Sequence, residues 1–343
     1  MKLLSSEPLQ AFNTLSLCAI GELLVSVRTE RELTDALAWA QHQKKKVTAF
    51  GAGSNVVLAG DISGLVIVQN STGIEIVSED DSGVVLRVAA GENWHNFVVW
   101  CLEEGFYGLE NLALIPGTVG AAPIQNIGAY GVEIKSFINA VHARRILGQE
   151  QLVLSKKQCE FSYRDSVFKH SLRDQFVITS VELRLRKNEY LECDYPELAK
   201  ELERENDSAT TAQNVFDAVV KIRSSKLPDP AIEPNAGSFF KNPVLPVAQA
   251  QELMDTYHNL PAYRQENGKV KFPAAWFIDQ CGWKGYRQNG VGVHPEHALV
   301  LVNYGSNSGV ELLKLAGKIS GSIKERFGIV LVKEPRTYGG AYE

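Results

Sequence analysis

The sequence lacks three features that define whole classes of protein. No stretch approaches the roughly 18 uninterrupted apolar residues of a membrane span. No long run of single-sign charge occurs, and the formal net charge is -5, so nothing resembles a basic surface that follows a phosphate backbone. The segment from Met1 to Leu23 has no basic head followed by an apolar run, so no signal peptide is evident. We expect a cytoplasmic protein without nucleic-acid partners or membrane insertion.

Cysteine is also scarce and irregularly placed. The five cysteines are Cys18, Cys101, Cys159, Cys193 and Cys281, and none forms the CxxC spacing of a zinc ligand set or a redox pair. We therefore expect buried, reduced thiols and no metal site.

The sequence contains enough hydrophobic residues to form several cores. The chain has 343 residues, of which 45% are hydrophobic, and a single hydrophobic core stops growing well below this length. More than one domain is expected.

Helix and strand patterns alternate along the chain. Thr29 and Glu32 form a capping pair, so a helix should follow them. Asn93 can cap a second helix with Trp94, Phe97, Val98 and Leu102 on one face. Further helices are expected at 215–222, 247–257, 274–280 and 310–327, and strands at 47–50, 65–68, 74–77, 84–90, 297–303 and 329–333. Strict alternation over 176–186 predicts a half-buried strand. The polar segment 188–211 predicts an excursion from the domain or a linker, with a domain boundary in this region. The mixture indicates an α+β protein.

Two glycine-rich loops are the most informative motifs. The first, Gly51 to Asn55, follows a strand and offers backbone N–H groups without side chains in the way, as a pyrophosphate requires. A tight turn between strands has the same appearance. The second, residues 115–131, reads IPGTVGAAPIQNIGAYG. Its small, uncharged residues favour backbone packed against a flat, partly apolar ligand over a flexible linker.

Together the two loops resemble the FAD-binding signature of the UDP-N-acetylenolpyruvoylglucosamine reductase family, which has the vanillyl-alcohol-oxidase type (PCMH-type) of flavoprotein fold. The resemblance extends from Asn13 to Pro335, with the motifs in the family's order. It implies non-covalent FAD, held by Gly51, Ala52, Gly53, Ser54, Asn55, Pro116, Gly117, Thr118, Gly120, Ala121, Gln125, Asn126, Gly128, Ala129 and Tyr130.

The resemblance also implies the chemistry: reduction of a UDP-sugar enol ether by hydride from flavin, with NADPH as the donor, in peptidoglycan precursor synthesis. Arg164, in a Tyr-Arg-x-Ser-x-Phe motif, matches the family's carboxylate clamp, and a bidentate guanidinium suits that task. Ser238 matches the general acid, and Glu334 matches the catalytic glutamate near the C-terminus. Without the resemblance, Arg164 would be interpreted as half of a surface ion pair with Asp165. Ser238 would be a turn residue, and Glu334 a solvated charge at the end of a strand.

Four further positions match the family's UDP-sugar site: Tyr195, Lys226, Asn242 and Tyr263. Tyr195 lies in what looks like the tyrosine loop of the family's longer subclass. The sequence departs from some members at His297, where they carry glutamine, so a structural histidine and a substrate contact both stay open.

The expected organisation is three-part and monomeric. Residues 1–70 with 331–343 and residues 71–210 would form two FAD-binding subdomains, and residues 211–330 a substrate-binding domain. Two other functions stay open: an oxygen-using alcohol oxidase of the same fold, which would favour covalent flavin, and a catalytically silent nucleotide-binding module.

Overall fold

The computed structural model describes residues 2–205, 209–265 and 267–340. Residues 206–208 of the polar segment and 341–343 of the predicted first subdomain lie outside that range. The chain divides into two compact units. The first comprises Met1–Glu7, Gly21–Gly53 and Ile62–Ser225, and the second comprises Pro8–Ile20, Ser54–Asp61 and Lys226–Glu343. The three-part division stays a prediction.

Helices and strands are distributed along the whole described chain. The α-helices in this part are α1 (Glu30–His42), α2 (Trp94–Glu103), α3 (Pro196–Glu205), α4 (Ala212–Lys226), α5 (Val247–Thr256), α6 (Ala274–Gln280) and α7 (Gly309–Phe327). The strands are β1 (Leu4–Pro8), β2 (Ile20–Val27), β3 (Val47–Phe50), β4 (Val56–Leu58), β5 (Ile62–Gln69), β6 (Ile74–Glu79), β7 (Gly83–Ala89), β8 (Gly128–Ala129), β9 (Val132–Glu133), β10 (Ile138–Arg145), β11 (Gln151–Ser155), β12 (Phe176–Arg186), β13 (Asn235–Ser238), β14 (Val244–Pro246), β15 (Tyr263–Arg264), β16 (Lys269–Lys271), β17 (Arg287–Gln288), β18 (Val291–Val293), β19 (Val300–Asn303) and β20 (Arg336–Tyr338). The predicted α+β class is confirmed.

The first unit contains a small sheet in the order β1-β2-β5-β3, in which β2 and β3 both pair with β5 in parallel. The central strand β5 is buried along nearly its whole length, as a parallel strand covered on both faces should be. Helix α1 packs Leu33, Leu37 and Ala40 into the same core, so the predicted apolar face is confirmed.

The predicted cap of α1 is present. The N–H of Glu32 donates to Oγ1 of Thr29 (3.1 Å), and Oε2 of Glu32 accepts from the N–H of Arg28 (2.7 Å). We expect Thr29→Ala to lower the free energy of unfolding by about 1 kcal/mol, because one backbone donor of the first turn loses its partner. Urea unfolding followed by far-UV circular dichroism measures this change. Thr34→Ala, on the same helix but away from the cap, is the matched control; an equal loss there would contradict the assignment.

The larger sheet of the first unit is antiparallel, in the order β11-β10-β12-β7-β6. Strand β12 has the predicted bounds, but its polar face is not solvated throughout. Glu182 is buried and accepts hydrogen bonds from Arg87, Asn139 and His142. Despite the cost of burial, these partners lower the pKa of Glu182. The prediction of a half-buried strand therefore fails at this residue.

Three other sequence expectations are corrected by the structure. The polar segment 188–211 is not a linker, because it contains α3, whose Leu198 and Leu202 lie one turn apart and are buried in the main core. On α2 the buried face includes Cys101, and Leu102 is half-buried, as the helical period requires. Cysteine burial holds for Cys101 and Cys159 but not for the half-buried Cys193 and Cys281 or for the exposed Cys18.

The second unit combines sheets in the orders β13-β19-β18-β17, β14-β16-β15 and β20-β4 with helices α5, α6 and α7. An aromatic cluster joins α6 to α7, with the ring of Phe277 at 5.1 Å from Phe327 and 5.2 Å from Trp276. The predicted strand 329–333 is wrong. This segment forms one isolated bridge, Phe240 with Lys333, within the described residues, and its exposed side has no partner strand there.

Two classes of feature are missing from the part of the chain that the structure describes. No helix in it is long and apolar enough to cross a membrane. Nor does it contain three or more His, Cys, Asp or Glu side chains clustered as metal ligands would be.

Candidate active site

The first glycine loop connects β3 to β4, and the chain passes from the first unit to the second between Gly53 and Ser54. Gly53 has φ +62°, which glycine adopts without strain. A Cβ on Gly51 would lie 2.5 Å from Oγ1 of Thr118. The two glycine loops therefore pack together more closely than a side chain at position 51 would allow. This contact is between loops that the sequence predicts to share a ligand.

The second loop is held to the start of α2 and the end of β7. The N–H of Gly120 donates to the carbonyl of Ala90 (2.9 Å), and the N–H of Trp94 donates to the carbonyl of Gly117 (3.1 Å). A Cβ on Gly120 would meet Cβ of Ala90 at 2.5 Å. Glycine is thus needed for close packing, and the loop is a fixed part of the fold rather than a flexible linker.

Asn126 has a structural role within this loop. Its side chain is completely buried, donating to the carbonyl of Ser162 (2.9 Å) and to Glu133 (3.1 Å) and accepting from the N–H of Lys135 (3.0 Å). These hydrogen bonds use the side-chain amide of Asn126, so only its backbone would be left to contact a cofactor. Asn126 connects the glycine loop to the segment that carries Arg164.

Arg164 lies directly against the second loop. Its Nη2 donates to the carbonyl oxygen of Gly128, and its guanidinium lies 5.3 Å from the ring centroid of Tyr163. The backbone of Arg164 is left-handed, with φ +53°, a conformation that costs free energy for a residue with a Cβ and is often found at functional sites.

A second cation stands beside Arg164. Arg223 lies on α4, and its Nε is buried without a hydrogen-bond partner among the described residues. Burial lowers the pKa of the Arg223 guanidinium, the phenol of Tyr130 opposes this shift, and the charge of Arg164 adds to it. Two guanidinium groups whose charges repel each other favour binding of an anion. Nothing in the sequence singled out Arg223 as part of this cluster.

Tyr195 reaches the same loop from the polar segment before α3. Its ring packs edge-on against Tyr130, with 5.3 Å between centroids. The amide of Asn111 donates both to the carbonyl of Tyr130 (3.0 Å) and to that of Glu192 (2.8 Å), which ties the two segments together. Burial raises the pKa of Tyr130 to about 12, so its phenol is a hydrogen-bond donor at neutral pH.

The second unit brings Ser238 and Glu334 together. Strand β13 has a register shift between Asn235 and Ser238, at Gly237 with φ +67°, and such a bulge turns the next side chain. The N–H of Glu334 donates to the carbonyl of Phe239 (2.9 Å), so the glutamate backbone lies next to the residue that follows Ser238. Nδ2 of Asn55 in turn donates to the carbonyl of Glu334 (3.5 Å).

The other predicted substrate residues lie in the second unit. Oδ1 of Asn242 accepts from the N–H of Ala274 (2.9 Å), which caps α6. Tyr263 is exposed on β15, in the sheet that includes β14 just after Asn242. Lys226 is the last residue of α4. Two histidines near Lys226, His294 and His297, stack with ring centroids 5.2 Å apart.

Gly128 offers a test of the packing around Arg164. A Cβ at this position would lie 2.7 Å from the carbonyl oxygen of Val132 and 2.9 Å from Nη1 of Arg164. We expect Gly128→Ala to lower the free energy of unfolding by about 1–3 kcal/mol, because a backbone oxygen cannot move away as a side chain can. Thermal unfolding with and without added cofactor measures the loss. Gly317→Ala on α7, where nothing lies within 4 Å, is the control and should stay stable.

Comparisons with known proteins give the class first. Residues 21–149 match the family model of an FAD binding domain, which places the chain among proteins built on such a domain. Residues 229–338 match the model of the C-terminal domain of UDP-N-acetylenolpyruvoylglucosamine reductase.

Curated relatives and a solved structure then define the family. Reductases of this name from Paraburkholderia phymatum and Chromobacterium violaceum are 46% and 44% identical, covering 96% and 95% of this chain and 95% and 96% of their own lengths. The crystal structure of the Thermus caldophilus reductase covers 98% of both chains with a TM-score of 0.67 at 22% identity, which shows a shared fold. The chain belongs to the UDP-N-acetylenolpyruvoylglucosamine reductase family.

Proposed function

We propose that this protein reduces UDP-N-acetylglucosamine enolpyruvate to UDP-N-acetylmuramate at the expense of NADPH, using non-covalent FAD, in the cytoplasmic synthesis of peptidoglycan precursors. Family membership over nearly the whole chain supports the reaction. The observation that carries it is the hydrogen bond from the backbone N–H of Glu334 to the carbonyl of Phe239, because it brings the segment that carries Glu334 beside the strand that ends at Ser238.

The two glycine loops fit FAD. At Gly51 and Gly120 a Cβ would collide with the neighbouring loop or strand. Loops of such small residues suit the close approach of a pyrophosphate and of a flat ring. The chemistry that FAD supplies when bound is hydride transfer, from NADPH to the enol ether of the UDP-sugar. Partly exposed loop residues such as Ala121, Gln125, Gly128, Ala129 and Tyr130 are the positions through which the second loop would contact it.

Arg164 binds the carboxylate of the enolpyruvyl group in this proposal. Its bond to the carbonyl of Gly128 and its contact with Tyr163 hold the guanidinium in one orientation, which limits the entropy lost on binding. The neighbouring Arg223 raises the positive potential at the same place. Together the two cations favour the charge that develops next to the carboxylate during reduction.

Ser238 donates the proton that completes the reduction. A serine hydroxyl is a weak acid, so its proton must be replaced through neighbours or water as it leaves. Glu334 lies on the adjacent segment and orients or polarises the intermediate that resembles an enolate. A bulge at Gly237 sets the direction of Ser238, and that geometry explains why glycine precedes the serine.

The UDP-sugar would be bound by Tyr195, Lys226, Asn242 and Tyr263, with Tyr195 on the loop that characterises the longer subclass of the family. Lys226 neutralises phosphate charge. The contact between Tyr195 and Tyr130 supports a loop that shields the site from water when closed. A monomer in three parts, residues 1–70 with 331–343, 71–210 and 211–330, completes the proposal.

Stopped-flow absorbance of the bound flavin tests this function. NADPH should bleach the flavin band, and UDP-N-acetylglucosamine enolpyruvate should then restore it faster than air does. Steady-state rates should give parallel lines, since both substrates use the same site in turn. Restoration by oxygen alone, with yellow colour retained on the denatured chain, would instead indicate a covalent-flavin oxidase.

A further inference from the structure

His294 and His297 form a stacked pair in the second unit, and the charge of Lys226 acts on His297. Their rings lie 5.2 Å apart at an interplanar angle of 15°. The carbonyl of His297 accepts from the N–H of Val300 (2.9 Å), and Val300 is the register partner of Ser238. The turn that carries the pair is therefore attached directly to the strand that pairs with Ser238.

The surroundings of His294 fix its ring proton. The N–H of Glu296 donates to Nδ1 of His294 (3.2 Å), so this nitrogen is an acceptor and the proton is on Nε2. Oε2 of Glu233 lies 3.4 Å from Nε2 and suits that proton.

His297 is surrounded by groups that shift its pKa. Its ring is half-buried and therefore still reachable by a ligand. Basic groups dominate around it: Lys226, Lys284 and His294 disfavour the charged form, and Glu296 opposes them. Burial is the largest cause, and with these charges it lowers the pKa of His297 below its usual range. His297 is thus neutral near pH 7 until an anion arrives.

We infer that binding of a phosphate anion beside Lys226 is coupled to uptake of a proton by His297, which makes ligand affinity fall as pH rises. The inference rests on the proposed function, because both the UDP-sugar and the nicotinamide nucleotide would bring phosphate to this unit. A negative ligand next to the imidazole stabilises its charged form and so raises its pKa in the complex.

The direction of the pH effect follows from the two protonation states. Below the pKa of the unliganded protein, His297 is charged with or without ligand and affinity is highest. As pH rises above that value, binding requires a proton from solution, so affinity falls until the pKa of the complex is passed. A neutral glutamine at this position would give a flat profile.

Isothermal titration calorimetry in buffers of different ionisation enthalpy tests the coupling with the holoenzyme. The probes are UDP-N-acetylmuramate, whose pyrophosphate diester does not titrate near neutrality, and NADP+. For the ligand that contacts the cluster, the wild type should take up roughly half a proton near pH 7, and its affinity should fall about tenfold from pH 6 to pH 8. His297→Gln should bind with no more than about a twofold change over that range.

Two control variants distinguish proton uptake by His297 from uptake by other histidines. His294→Gln should retain proton uptake, since His297 is the titrating group, and His258→Gln, an exposed histidine of the same unit, should behave as wild type. Uptake that survives His297→Gln, or that is absent from the wild type with both ligands bound, would overturn the coupling. Failure of the wild type to bind either ligand would contradict the proposed function itself.

Discussion

Ser238→Ala should leave reduction of the bound flavin by NADPH within about twofold of wild type while slowing reoxidation by the enolpyruvyl UDP-sugar about 10²–10⁴-fold, the usual contribution of a general acid. The reason is that a proton is needed in the second half-reaction and not in the first. Single-turnover stopped flow measures the two steps separately.

Two comparisons make this prediction specific. Ser320→Ala on α7 makes the same chemical change at a half-buried serine of the same unit and should alter neither step. Equal damage to both half-reactions by Ser238→Ala would show that the hydroxyl serves folding or cofactor binding, and it would remove the proton-donor assignment.

Arg164→Met should slow the same second half-reaction about 10²–10³-fold, as expected when one charged group that stabilises developing charge is removed. Arg164→Lys should recover only part of this loss, because an ammonium lacks the planar fork that binds a carboxylate and also maintains the bond to Gly128. Met and Lys both carry a Cβ and are strained to a similar degree by the left-handed backbone at position 164, so backbone strain does not explain a difference between the two variants.

Arg173→Met is the matched control, since Arg173 is exposed and close in sequence. It should leave both half-reactions unchanged. If Arg164→Met instead weakens flavin retention and leaves the second half-reaction intact, Arg164 serves the cofactor loop rather than the substrate carboxylate.

Elements with local signals were predicted well from the sequence. Strand β12 and helix α6 have the predicted bounds, and the Thr29 cap begins α1 where expected. In each case the residues that determine the element lie within a single helix or strand. Periodicity and caps are local properties, and they remain readable without knowledge of the rest of the fold.

Features set by distant residues were not predictable in this way. The strand expected at 329–333 has the right alternation, but pairing depends on which neighbours reach it. Leu198 and Leu202 look solvated in a charged segment until the core of the first unit covers them. At the candidate site, motifs supplied Arg164, Ser238 and Glu334, whereas the Arg223 neighbourhood and the His294–His297 stack arise from tertiary contacts.

Proton donation by Ser238 requires its hydroxyl to lie next to the substrate, and a crystal structure of the FAD-bound protein with its UDP-sugar would show that position. We expect Oγ to lie within hydrogen-bond reach of the enolpyruvyl group, on the face of the double bond opposite the flavin ring. A hydroxyl far from the three-carbon arm, or a sugar bound away from Ser238 and Glu334, would contradict it.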